Sequence, residues 1–130
     1  MKAFFDSNIL VYAQTDSEKG QKARSLLASG GMTSVQVLNE FANVMRKKLG
    51  MDWPEIRLAI ADITVLFPEI VSLSLAMHHE ALGISERHGL SFYDALIVAA
   101  AAESGCDFIW TEDMQHDARI AGVLLRNPFY

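Results

Sequence analysis

A single cysteine, no lysine after Lys48, and eleven basic residues against sixteen acidic ones are the scarcities of this 130-residue chain. Each excludes something. Cys106 alone cannot close an intramolecular disulfide, and the N-terminus MKAFFDSN reaches a charge before any apolar run long enough for a signal peptide. The expected compartment is therefore reducing and cytoplasmic. The longest apolar stretch, Ala95 to Ala102, is far short of the roughly 20 residues that span a bilayer, so no membrane segment is expected. A net charge of −5 excludes the general basic coat of a protein that binds nucleic acid mainly by neutralising phosphates. Internal repeats, low-complexity runs and an interdomain linker are also absent.

What is present is the balance of one globular domain over residues 1–130, with 51% hydrophobic and 21% charged residues. A chain near this size removes roughly 68–70% of its unfolded surface from water, so no metal or disulfide staple is needed and any metal serves function. Periodicity predicts a strand over Lys2–Asp6, a helix over Ser17–Ala28, a minimal strand at Met32–Thr33 and a helix from an Ser34 cap to Leu49. Asp52-Trp-Pro-Glu55 opens a further helix, closed by Pro68. A strand over Glu69–Leu73, a helix over Ser74–His88, a very apolar helix opened by Ser91 and strands at Phe108–Trp110 and Gly122–Leu125 follow. Strands alternating with long helices imply an α/β fold with a mostly parallel sheet and helices on both faces.

In such a sheet, ligands bind outside the C-terminal ends of the strands. Asp6 and Asp113 fall at strand ends, and Glu40 and Asp94 are placed in first turns of helices facing the same rim. Two unit charges 4 Å apart repel by about 4 kcal/mol at an effective dielectric of 20, so converging carboxylates need protons or a cation. Oxygen-only ligands select hard cations, Mg2+ or Mn2+, which keep waters and meet phosphates. Each acid also has a plainer role. Asp94 is the N3 member of a Ser-x-x-Asp capping box, Glu40 can face solvent on an amphipathic helix, and Glu112 competes with Asp113 as the ligand of its turn.

Phe4-Phe-Asp-Ser-Asn-Ile-Leu-Val-Tyr12 resembles the opening motif of PIN-domain nucleases, and Val35-Gln-Val-Leu-Asn-Glu-Phe41, Ser91-Phe-Tyr-Asp-Ala-Leu-Ile97 and Trp110-Thr-Glu-Asp113 resemble their second, third and fourth. The four occur in order over positions 4 to 113. The size and the ending further resemble the VapC-type toxins of type II toxin–antitoxin systems. The resemblance implies a three-layer α/β/α sandwich, Mg2+- or Mn2+-dependent endoribonuclease activity on an RNA substrate, a homodimer, and a VapB-like antitoxin as partner. It makes Asp6, Glu40, Asp94 and Asp113 the acidic quartet and the metal ligands, Asp6 and Asp94 foremost. Asn8 and Thr111 become groups that orient carboxylates and water, with Ser7 a further member. Asp117 stands where the closest relatives are expected to carry glycine, and is read as a surface acid.

His116, Arg46 and Lys47 are candidate substrate contacts, although Arg46-Lys-Lys48 also ends a helix, where cations are favoured anyway. His78, His79 and His88 lack ligand spacing. Three other readings compete with the nuclease. Haloacid dehalogenase-like phosphatases also close a strand on Asp, but carry a second Asp where this chain has Asn8, and they, like receiver domains, need a late lysine that is missing here. A catalytically inactive PIN-like RNA- or protein-binding module is expected to lose some of the four acids, and all four are present.

Overall fold

The computed structural model describes residues 1–130. The elements run β1 (Ala3–Phe5), α1 (Ser7–Ala13), α2 (Glu18–Ala28), β2 (Thr33–Ser34), α3 (Val35–Lys47), α4 (Trp53–Leu66), β3 (Ile70–Val71), α5 (Leu75–His88), α6 (Phe92–Glu103), β4 (Phe108–Trp110), β5 (Arg119–Ile120) and β6 (Val123–Arg126). The central sheet has the order β1-β4-β6-β5, parallel except for β5, and β2 and β3 form a small parallel pair of their own. This is the mostly parallel α/β/α arrangement that the alternation of elements predicts.

All six helices start at a Ser or Asp whose side chain accepts a backbone N–H: Asp6, Ser17, Ser34, Asp52, Ser74 and Ser91. Such a cap satisfies one orphan donor and contributes about 1 kcal/mol. Asp52 and Glu55 complete a reciprocal capping box with Pro54 in the first turn, as their spacing predicts. α6 is buried continuously from Ala95 to Ala101, because its run of alanines lets other elements approach it on every side. The core includes Phe4, Phe5, Ile9, Phe41, Met45, Ile97, Ile109 and Leu125.

The structure departs from the sequence reading in four places. α1 is a helix of only seven residues whose run Ile9-Leu-Val11 carries no helical period, so only its Asp6 cap marks it. β5 is a two-residue hairpin partner of β6, reached through Ala121 at φ 52 and Gly122 at φ 80. β3 is confined to Ile70–Val71 and pairs with β2 outside the main sheet, since the chain turns at once into the Ser74 cap of α5. Glu40 lies in the second turn of α3, not the first, because α3 starts at Val35.

The register of the sheet sets up the rim. Phe5 pairs with Trp110 and Trp110 with Arg126, so Asp6 and Thr111 leave adjacent strands side by side. The Asp6 N–H donates to the Trp110 carbonyl at 3.0 Å and the Thr111 N–H to the Arg126 carbonyl at 2.9 Å. On the other edge of β1, the Phe5 N–H donates to the Met32 carbonyl at 2.9 Å and Thr33 Oγ1 donates to the Phe5 carbonyl at 3.0 Å, bringing the start of α3 to the same rim.

One close approach fixes α2 against α1. A Cβ on Gly20 would lie 2.3 Å from the Thr15 carbonyl oxygen and 2.7 Å from that of Tyr12, whereas a Cβ on Gly83 would meet only the Arg87 guanidinium, at 3.6 Å or more. Gly83→Ala is expected to stabilise the protein by about 0.5–1 kcal/mol through helix propensity. Gly20→Ala is expected to destabilise it by about 1–3 kcal/mol despite the same gain, because backbone must move. Urea midpoints shifted in opposite directions would be the expected result; equal gains would contradict the packing described.

Candidate active site

Asp6 is the buried centre of the rim. It is 1% exposed, and its carboxylate accepts four hydrogen bonds: at Oδ1 from the Ser7 backbone N–H (2.6 Å) and Ser7 Oγ (3.4 Å), and at Oδ2 from Thr111 Oγ1 (2.7 Å) and Asn8 Nδ2 (3.2 Å). Burial nevertheless dominates. It pushes the Asp6 carboxyl up to about 7, the bonds from Thr111 and the Ser7 N–H pull it down, and the charges of Glu40 and Asp94 raise it again.

Three further carboxylates arrive from three other elements. Glu40, on α3, is held at Oε2 by Gln36 Nε2 (3.1 Å) and at Oε1 by Ser7 Oγ (3.3 Å). Burial raises its carboxyl, those two bonds oppose the rise, and Asp94 and Asp113 add to it. Asp94, on α6, donates its backbone N–H to Ser91 Oγ at 3.2 Å, but its carboxylate does not return to the Ser91 backbone as Glu55 does to Asp52. The side chain instead feels the charges of Glu40 and Asp113. Burial raises its carboxyl, the Ser91 hydroxyl opposes this, and Asp113 raises it further. Asp113, after β4, accepts from Asn8 Nδ2 at 3.0 Å.

The two acids of the turn after β4 point in different directions. Glu112 points away from the rim, accepting from Tyr12 Oη and Lys19 Nζ, each at 2.7 Å, while Asp113 points into it. Asn8 links the groups: Nδ2 donates to both Asp6 and Asp113, and Oδ1 accepts the Glu112 backbone N–H at 3.0 Å. Ser7, Asn8 and Thr111 all donate to the Asp6 carboxylate. Gln36, 7% exposed, is an additional support that the sequence reading misses. Its place one turn before Glu40 on α3 is the signal that could have found it.

A polar basin of about 620 Å³ opens beside these acids, lined by Gln36, Asn39, Glu40, Asn43, Ser91, Tyr93 and Asp94. Arg46, Lys47 and His116 do not line it. Arg46 donates to the Met51 carbonyl at 3.1 Å and lies 5.1 Å over the Trp53 ring, and Lys47 is exposed at the end of α3. His116 accepts the Asn127 N–H at Nδ1 (2.9 Å), stacks on Tyr130 at 4.1 Å and lies 3.4 Å from the Asp117 carboxylate. Asp117 has φ 66, the left-handed conformation that glycine adopts most readily, and its side chain is 66% exposed, in keeping with a surface role. Arg126 approaches it at 3.8 Å.

The donor set can be weighed against a cation. Four carboxylates and no sulfur or imidazole face one rim, and the charges of their neighbours raise three of them. As the side chains stand, no three His, Cys, Asp or Glu groups lie together closely enough to hold a metal ion by themselves. An open, all-oxygen set of this kind fits a hard divalent cation that keeps water ligands, and does not fit a soft or fully protein-caged metal.

The fold and rim together define a class. A family model of the PIN domain matches residues 3–121, and the chain belongs to that family. Three solved structures share the fold. A toxin–antitoxin complex from Klebsiella pneumoniae aligns with TM-score 0.74 and 20% identity, over 98% of both chains. VapBC2 from Rickettsia felis, bound to a DNA fragment from its promoter, aligns with TM-score 0.71 and 21% identity, also over 98% of both. The sarcin-ricin-loop-cleaving toxin VapC20 of Mycobacterium tuberculosis aligns with TM-score 0.69 and 20% identity, over 86% of this chain and 90% of that one. No curated protein sequence matches the chain. Family membership sets aside the phosphatase and receiver-domain readings.

The raised carboxyls fix a pH dependence for the metal-free protein. Burial holds a proton on the folded Asp6 up to about 7, whereas an ordinary aspartate loses it near 3.8, so stability is fully present below that lower value and is lost as pH rises through about 7. For this one proton the slope is at most about 1.4 kcal/mol per pH unit. In EDTA, denaturation midpoints are expected to fall between pH 5 and pH 8, by on the order of the change one to three such protons produce. Asp94→Asn is expected to raise the midpoint at pH 8 and to leave it nearly unchanged at pH 4. A loss at both values would show Asp94 acting only as a helix cap.

Proposed function

We propose that this chain is a divalent-metal-dependent endoribonuclease of the VapC toxin type, which hydrolyses RNA phosphodiester bonds and is held in check by a VapB-like antitoxin. The observation that carries the proposal is the delivery of four carboxylates, from β1, α3, α6 and the turn after β4, to one rim around the buried Asp6. The toxin type is supported by the likeness in fold, over nearly the whole chain, to a VapC toxin and to two toxin–antitoxin complexes.

Asp6, Glu40, Asp94 and Asp113 would hold Mg2+ or Mn2+, with Asp6 and Asp94 as principal ligands. Such a cation, when bound, supplies Lewis acidity and makes a bound water acidic enough to act near neutral pH. The chain's own contribution is orientation and proton traffic. Thr111 and Asn8 fix Oδ2 of Asp6, the Ser7 N–H fixes Oδ1, and the carboxylate cannot rotate without breaking several bonds. Glu40, aimed by Gln36 and Ser7 and raised above the ordinary carboxylate range, is placed to take a proton at its carboxylate. The amides of Asn39 and Asn43 and the ring of Tyr93 line the basin where a substrate strand would lie. Arg46, Lys47 and His116 lie outside that lining and would meet only the flanking phosphates of a longer RNA.

Uncovered apolar surface supports the partners. Val65, Leu75 and Leu58 are 83%, 71% and 70% exposed, and a cleft of about 260 Å³ is lined mainly by apolar residues of α1, α2 and α4. Exposed apolar clefts of this kind mark interaction surfaces, for an antitoxin or a second copy of the chain. No helix is long and apolar enough to cross a membrane.

Purified protein, freed of any antitoxin, is expected to cleave structured RNAs in Mg2+ or Mn2+ and to stop in EDTA. Asp6→Asn and Asp94→Asn are each expected to lose about 100-fold or more, at or beyond the upper end for removal of groups around a metal. Cleavage by both variants at the wild-type rate, or in EDTA, would overturn the proposal. Induced expression in a bacterial host without the antitoxin is expected to arrest growth, and Asp6→Asn to restore it.

A further inference from the structure

Glu112 is an acid of the fourth motif that the reaction as described does not use. Its carboxylate is fully engaged: Oε1 accepts Tyr12 Oη and Oε2 accepts Lys19 Nζ, both at 2.7 Å. These bonds join the turn after β4 to α1 and α2, about a hundred residues earlier in the chain. Lys19 Nζ also lies 4.9 Å over the Tyr12 ring and 5.1 Å over Phe129, and Tyr12 and Phe129 meet edge to face at 5.2 Å. Burial works to raise the Glu112 carboxyl, but the Lys19 and Tyr12 bonds outweigh it and keep Glu112 ionised. The close approach at Gly20 presses α2 against the end of α1 and so delivers Lys19 to this point.

The other side of Glu112 faces the rim. Its backbone N–H donates to Asn8 Oδ1 at 3.0 Å, and that single bond decides which way the Asn8 amide points. With Oδ1 so occupied, Nδ2 must face Asp6 and Asp113, to which it donates at 3.2 and 3.0 Å. The opposite orientation would set an amide oxygen against two carboxylates and an amide N–H2 against a peptide N–H.

We infer that Glu112 is a positioning residue: clamped by Tyr12 and Lys19, it locks the turn after β4 so that Asn8 ties Asp6 to Asp113, the pair that would share a divalent cation. The inference rests on the metal-dependent reading of the rim, and deepens it by assigning metal affinity to groups that never touch the metal. Tyr12, Lys19 and Glu112 do not line the basin, so the expected effect is on metal affinity and not on KM for RNA.

The test is a Mn2+ titration of the purified full chain, following the rise in melting temperature from an EDTA-stripped baseline. Tyr12→Phe removes one hydroxyl and keeps the ring on Phe129, and Glu112→Gln keeps the shape and removes the charge. Each is expected to raise the Mn2+ midpoint about tenfold, the lower end for supporting groups around metals. In RNA cleavage the loss is expected to be recovered at high Mn2+, with KM for RNA unchanged. Glu112→Gln combined with Asn8→Ala is expected to be no worse than Asn8→Ala alone, since both act through one amide. A lower baseline melting temperature with an unchanged Mn2+ midpoint would overturn the clamp and leave only a structural ion pair. Asp6→Asn separates the two levels: if it titrates like the wild type, the metal-dependent reading itself fails, and the clamp with it.

Discussion

Everything at the rim depends on a carboxylate kept out of water. Asp6 ends β1 and caps α1, and a group in that position cannot reach solvent without unpicking the junction between strand and helix. An ionised carboxylate buried alone costs far more than a small domain can spare, so its surroundings must consist of donors. Two of those donors are local, Ser7 and Asn8 at the start of α1, and the third, Thr111, comes from the end of β4, 105 residues on. The parallel pairing of Phe5 with Trp110 is what makes the last of these possible. Sheet register, helix capping and the solvation of one acid are thus a single constraint, met together.

The balance struck is incomplete in a way that suits a cation. Four hydrogen bonds do not offset the burial and the neighbouring charges of Glu40 and Asp94, so the Asp6 carboxyl stays far above its usual range. A protein that needed Asp6 only as a helix cap would gain by replacing it with serine, which caps four of the other helices here. An acid here with three more around it is costly at neutral pH unless protons or a cation neutralise it. Net charge is read differently in this light. Setting the four rim acids aside leaves twelve acidic against eleven basic residues, so the rest of the molecule is close to neutral. The acidity of the chain speaks against broad contact with phosphate and not against contact through a bound cation.

Much of this was legible before the structure. Caps and periodicity place five of the six helices, and the four motifs contain the acids and polar residues that the fold brings to one rim, because each of these features is local in sequence. What could not be read depends on contacts between distant segments. α1 escaped because seven residues are too few to display a period. The choice between Glu112 and Asp113 is invisible in Thr-Glu-Asp, since it is settled by Tyr12 and Lys19 on the opposite side of the turn. Gln36 looked like any polar helix residue until the fold buried it against Glu40. The capping reading of Asp94 was half right: the Ser91 bond forms, but the return bond does not, and a free carboxylate is what the rim needs.

Asn8 shows why one atom at this rim matters to the class of chemistry. Phosphatases of the competing class place a second aspartate there. In this fold an aspartate would add a fifth negative charge within hydrogen-bond distance of two carboxylates, at a repulsion of about 4 kcal/mol for each pair 4 Å apart. It would also turn an oxygen toward groups that now receive N–H bonds. The amide avoids both. Its oxygen takes the Glu112 peptide N–H and its nitrogen serves Asp6 and Asp113, so one neutral group satisfies a backbone donor and holds two like charges near each other. A neutral group with two N–H donors on one atom and an acceptor oxygen on another is the carboxamide of Asn or Gln, and both donors are used here. The residue that separates the two sequence patterns is therefore the one that makes a four-carboxylate rim physically tenable.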